Sequence, residues 1–178
     1  MSKFVKVKTK GVCETNKEAL RLIRQLKIEC AEESFDGFSQ NCCPYVPGLG
    51  VIEMFRCFGI THGTRLTHYV LFLEPTEVSD FQTAVDIARD ICAFISKNYQ
   101  TLFYVHSRRG RVHIHFLVNN FNCFHGKRNE NLSASYEAIF ETVRRVQKHY
   151  GVQELCYLSK VNKRDNSIAS EITVIEVQ

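Results

Sequence analysis

The sequence predicts an α+β domain, an antiparallel β-sheet with helices packed against it. Two observations point there. "TLFYVH" (101–106) and "VHIHFLVN" (112–119) are apolar, strand-forming runs joined by the basic turn "SRRGR", the pattern of a β-hairpin with Gly110 in its turn. Around them, stretches with apolar residues at helical spacing alternate with further strand-like runs.

The elements follow in order. "KFVKVKT" (3–9) alternates and is β-branched, so it reads as a strand. Thr15 and Glu18 form a capping box, and Ala19, Leu22, Ile23 and Leu26 make the stripe of the helix it opens. Residues 33–48, with "FDGFSQNCCPYVPG", are rich in turn formers and are expected as loop, followed by a short helix over 49–58. "RLTHYVLFLE" (65–74) is a strand ended by Pro75. Ser79 and Gln82 suggest a second capping box, ahead of the strongest helical period in the chain: Phe81, Ala84, Val85, Ala88, Ile91, Cys92 and Ile95. After the hairpin comes a helix over 133–149, with Tyr136, Ile139, Phe140, Val143 and Val146 inward. "ELCYLS" and "EITVIEV" then read as two closing strands about the polar turn "NKRDNS". The main order is β-α-β-α-β-β-α-β-β, in one domain spanning 1–178, with no internal repeat, low-complexity tract or linker.

With 178 residues, 44% of them hydrophobic and 24% charged, the chain is long enough to bury a core of its own. A net charge of +4 excludes a histone-like polycation, so basic residues matter only where they cluster. They do so at Arg108, Arg109 and Arg111, and again at Lys127 and Arg128. No run approaches the roughly 18 apolar residues of a membrane span, and "MSKFVKVKTKG" lacks a signal peptide's apolar segment. A soluble, cytoplasmic protein without a membrane partner is expected. The eight cysteines form no CxxC pair, so neither a disulfide framework nor a thiolate metal site is expected. Cys57 and Cys92 are read as small buried hydrophobes on helical faces.

The hairpin carries the chemistry. Side chains i and i+2 of a strand share a face, so His113 and His115 project together. Folding the hairpin about its turn sets His106 opposite His113. Directly paired residues have Cβ atoms roughly 4.5–5.5 Å apart, so three imidazoles are expected to converge. A lone His-x-His on a strand is ordinarily hydrogen-bonded core or surface, whereas three crowded imidazoles suit a divalent metal with coordination sites left open. His68, on another strand, is a candidate for a residue behind the ligands that orients them; His62, His125 and His149 read as surface histidines. Arginines beside such a metal suggest a phosphate substrate, hence nucleic acid.

"HSRRGRVHIHFLVN" resembles the HUH signature (His, hydrophobic, His) of mobilisation relaxases, the nicking enzymes of conjugative plasmids and transposons. "NCCPYVPG" is similar to the Asn-Cys loop of relaxases from Gram-positive mobile elements. "THYVLFLEPTEVSDFQTAVDIARDI" is similar to their second motif, a His-bearing strand followed by a proline turn and an amphipathic helix, and "HGKRNENLSASYEAIFETVRRVQKHYG" to the segment after their metal strand, so the likeness spans about residues 3 to 157.

That resemblance implies an HUH-endonuclease, ferredoxin-like architecture with His106, His113 and His115 as metal ligands and Asn119 closing the motif. It also implies manganese or magnesium as cofactor, with zinc, cobalt or nickel as alternatives. The partner it implies is single-stranded DNA at a transfer origin, with further relaxosome proteins, and the DNA contacts would come from Arg108, Arg109, Arg111, Asn119, Lys127 and Arg128. The implied reaction is a transesterification, in which a tyrosine attacks a phosphodiester and leaves a 5′-phosphotyrosyl link and a free 3′-hydroxyl.

Two departures stand out. The family's nucleophilic tyrosine lies in the first helix, where this chain has Leu22 and "EALRLIRQL", and no tyrosine precedes Tyr45. An aspartate favoured two residues after the first histidine is replaced by Arg108. Tyr45 and Tyr136 are the alternatives for a nucleophile, each with a plainer role as loop residue or core contact. A non-catalytic DNA-binding accessory of the same fold and a nuclease using water at the metal stay open beside the nickase.

Overall fold

The computed structural model describes residues 3–7, 13–28, 33–42, 45–74, 76, 78, 80–97, 99–108, 110–128 and 132–152. They form β1 (Lys3–Val7), α1 (Asn16–Ile28), β2 (Glu33–Phe38), α2 (Pro47–Cys57), β3 (Leu66–Leu73), α3 (Phe81–Ile95), β4 (Thr101–Arg108), β5 (Arg111–Asn119) and α4 (Leu132–His149). The five strands make one sheet in the order β1-β3-β5-β4-β2, every neighbouring pair antiparallel. This is the expected α+β antiparallel architecture. The two runs of the hairpin become β4 and β5, and Gly110 takes the left-handed φ of 73° that their tight connection needs.

Strand alternation divides the sheet into two faces. Tyr69, Leu71, Leu73, Phe103, Val105, Ile114 and Phe116 point to one, where they pack with the apolar stripes of α3 and α4. Leu66, Leu102, Tyr104 and Leu117 point to the other and pack under α1 and α2. The helices present the stripes their spacing predicts: Ala19, Leu22, Ile23 and Leu26 on α1, and Ala84, Val85, Ala88, Ile91, Cys92 and Ile95 on α3, are buried. The Thr15–Glu18 box closes in both directions, Thr15 N–H donating to Glu18 Oε2 at 2.9 Å and Glu18 N–H to Thr15 Oγ1 at 3.2 Å. Buried Arg65 holds this helix start to the sheet, donating from Nε to Asn16 Oδ1 at 3.1 Å and from its backbone to Cys13 O at 2.6 Å.

Three expectations need correction. Residues 33–38 are an edge strand, because Gly37 serves close approach and not a turn: a Cβ there would overlap the Phe103 ring. Phe35 on the same strand stacks on Phe103 with centroids 6.0 Å apart. The cap of α3 is Asp80, whose Oδ1 accepts from Thr83 N–H at 2.7 Å. Cys57, last residue of α2, is exposed, while Cys92 is buried as expected. The two predicted closing strands, 154–159 and 171–177, lie outside the described residues.

Candidate active site

The pairing of β4 with β5 sets His106 opposite His113, the register the hairpin predicts. His115 lies two residues on along the same face, opposite Tyr104 on β4 and Val70 on β3. His68 joins them from β3, opposite Leu117. Four imidazoles therefore stand on the three central strands, towards the hairpin end of the face whose other end α1 and α2 cover.

His115 is the hub. Its ring centroid lies 5.2 Å from that of His68, 5.3 Å from His106 and 6.3 Å from His113. His115 Nδ1 and His68 Nε2 share a hydrogen bond of 3.0 Å. His68, His106 and His115 are buried; His113 is half-buried and sits edge-on to Phe72 at 4.8 Å. Burial pushes His68 down to about 4, and burial, followed by the neighbouring His68, His106 and His113, holds His115 well below the ordinary imidazole range. Both are neutral rings at physiological pH.

The predicted convergence on one point is met in part. Among the described residues no group of three or more His, Cys, Asp or Glu side chains is arranged to hold a metal ion. The contacts explain this: His115 turns its Nδ1 to His68, and His113 packs against Phe72. The donor chemistry nevertheless fits a divalent cation, since neutral imidazoles offer lone pairs, and His106 Nδ1 and His115 Nε2 both lie buried within the cluster. The shared hydrogen bond on Nδ1 leaves Nε2 as the ring nitrogen through which His115 would bind.

The other predicted residues separate. Asn119 is 0% exposed: its amide donates to Gln100 Oε1 at 3.2 Å and its Oδ1 accepts from Phe121 N–H at 2.9 Å. It locks the end of β5, with its side chain away from solvent. Tyr136 lies on the opposite face of the sheet from the imidazoles, its buried ring 6.1 Å from Phe4 and 6.0 Å from Tyr69. This placement removes it as a nucleophile for chemistry at the histidines. Arg111 is exposed at the hairpin tip and Arg108 pairs with it in register, whereas Arg109 lies outside the described residues. Lys127 and Arg128 are exposed beyond the far end of β5, where Arg128 bridges to Phe121, so the basic residues form two groups and not one.

Tyr45 is 92% exposed and lines a cleft of about 500 Å³ between α1, β2 and the start of α2. Phe38, Leu102 and Tyr104 line it too, with Arg24 and Lys27 from α1. Upstream, residues 39–41 are tied to the sheet and α3: Ser39 and Thr101 exchange hydrogen bonds of 2.8 and 2.9 Å, and Asn41 Nδ2 donates to Ser96 O at 2.9 Å. Sequence reasoning passed over Tyr104 and the α1 cations. Their signal was present, since Tyr104 is two residues before His106 on one strand face, and Arg24 and Lys27 fall outside the apolar stripe of α1.

An antiparallel sheet presenting imidazoles from its central strands is the frame of an HUH-type nuclease domain. The family model described as relaxase, MobA/VirD2-like, nuclease domain, matches residues 52–152, and the chain belongs to that family. The matched span holds all four clustered histidines. No curated protein and no solved structure matches the chain.

Proposed function

We propose that this relaxase domain binds single-stranded DNA at a transfer origin and nicks it by metal-assisted transesterification. The observation that carries the proposal is the cluster of four imidazoles on the central strands, inside the span of the family match. His106, His113 and His115 would hold a divalent cation, manganese or magnesium, whose bound positive charge would ease nucleophilic attack on a phosphodiester. His68 fixes the tautomer and direction of His115 through their shared hydrogen bond. Arg111, exposed at the hairpin tip, is available to a flanking phosphate.

Of the tyrosines weighed from sequence, Tyr45 is the one whose side chain meets solvent on the histidine side of the sheet. Its oxygen would bond to phosphorus as the P–O3′ bond breaks. The leaving 3′-oxygen would end as a hydroxyl, and the 5′-phosphate would remain on the tyrosine.

A second reading, a DNA-binding accessory without nicking activity, is favoured by Leu22, which fills the first-helix position with a buried apolar side chain. Incubation with a labelled single strand and manganese, followed by a denaturing gel, decides between them. A covalent protein–DNA band that is lost in Tyr45→Phe supports transesterification through Tyr45. A mobility shift without cleavage supports the accessory. Free cut product without a covalent band means that water is the attacking group.

A further inference from the structure

We infer that the cleft between α1, β2 and residues 45–49 seats an unpaired base of the bound single strand, with Arg24 and Lys27 on the adjoining phosphates. The site rests on the single-strand reading above and adds where the strand lies. Among the described residues six large apolar side chains are exposed, and four of them, Phe38, Tyr45, Val46 and Leu49, line this one cleft. Apolar surface gathered in one concavity marks a binding site. Two of the four are aromatic, and every nucleobase has a π-face that stacks on such a ring whatever its sequence.

Charge sets the orientation. Arg24 and Lys27 stand three residues apart on α1, hence on one side of the helix, and both reach the cleft. Lys27 Nζ also meets Asp36 Oδ2 at 3.3 Å, which places one carboxylate among the two cations. A carboxylate repels phosphate and accepts from an exocyclic amino group, so a base beside Asp36 would leave the backbone to Arg24 and Lys27. The volume of about 500 Å³ is ample for one nucleotide.

The cleft and the histidine cluster share Tyr104 as a neighbour. Tyr104 lines the cleft, pairs with His115 in register, and has its ring centroid 6.4 Å from that of His106. A strand seated in the cleft would therefore lie on the same face of the sheet as the imidazoles, next to Tyr104. Apart from Leu102 and Tyr104, the lining lies outside the 52–152 span of the family match. This anchor is therefore built largely by the part of the chain that precedes the match.

Photocrosslinking tests it, using a mixed-sequence single strand carrying 5-iodo-deoxyuridine, with adducts mapped by peptide mass spectrometry and affinity read by fluorescence anisotropy. Adducts on Phe38, Tyr45 or Tyr104 are expected, together with binding weakened about tenfold by Tyr45→Ala. Arg24→Glu should weaken binding and flatten its salt dependence. Tyr45→Phe, which keeps the ring, should bind like the parent even where it no longer nicks. Adducts confined to other surfaces, or full affinity in Tyr45→Ala and Arg24→Glu, would overturn the cleft while leaving the single-strand reading intact. A parent protein that binds no single strand overturns both. A parent dimer that dissociates in Tyr45→Ala would assign the cleft to a second copy of the chain and overturn the base site. The side chains of Tyr45 and Arg24 are exposed, so unchanged far-UV circular dichroism is the fold control.

Discussion

His113 is the half-buried member of an otherwise buried cluster and stands edge-on to Phe72. His113→Ala should abolish stoichiometric manganese binding as read by calorimetry, because two imidazoles alone make a poor site. His68→Gln should keep the stoichiometry and weaken affinity roughly 10- to 100-fold, the usual effect of losing the partner that orients a ligand. The meeting of His106 with His113 was legible in the sequence because strand period and hairpin register fix which side chains stand opposite each other. The hub position of His115 was not, since it depends on β3 lying beside β5, and a long-range pairing leaves no local signal. Cys57 shows the same limit: an apolar stripe gives a helix its inward direction, but a residue at the helix end can fall to either side. Among the described cysteines, iodoacetamide at pH 8 should therefore modify Cys57 ahead of Cys13, Cys42 and Cys92, as read by peptide mass spectrometry.

The helices were read from the chain almost in full because capping and spacing are local properties. The Thr15–Glu18 box closes as predicted, and the stripe of α3 is the one its apolar residues spell out. The cap of α3 was misplaced by one residue, since Ser79 and Asp80 are both good caps and geometry chose the carboxylate. Asp80→Ala should cost about 1 kcal/mol in a urea titration. Edge strand β2 was missed because its residues favour turns and its pairing with β4 overrides that preference. Gly37→Ala tests the account: the added methyl meets the Phe103 ring and should destabilise by about 1–3 kcal/mol, where an open glycine would tolerate it.

Across the molecule, the sheet separates structure from chemistry. One face, packed under α3 and α4, is apolar; the other is shared between the α1–α2 core and the imidazoles. Burial on both sides leaves a mark on alkaline stability. The thiols of Cys13 and Cys92 are pushed up from 9.0 to about 12, chiefly by burial. A pKa raised on folding contributes stability that is whole below the unfolded value and drains as pH rises through the folded one. The melting temperature should thus hold to about pH 9 and decline towards pH 12, less steeply in Cys92→Ala, as followed by circular dichroism.

The place of β5 has a last consequence. Among the described residues it is the middle strand of five, with β3 and β4 bonded along its two edges and a helical layer over one face. Its amides are reached by water only when the sheet as a whole opens, so deuterium should enter Val112 through Val118 last and β1 first. The strand that carries two of the four imidazoles would then keep its shape until the entire domain unfolds, and local breathing at the rim would leave its spacing untouched.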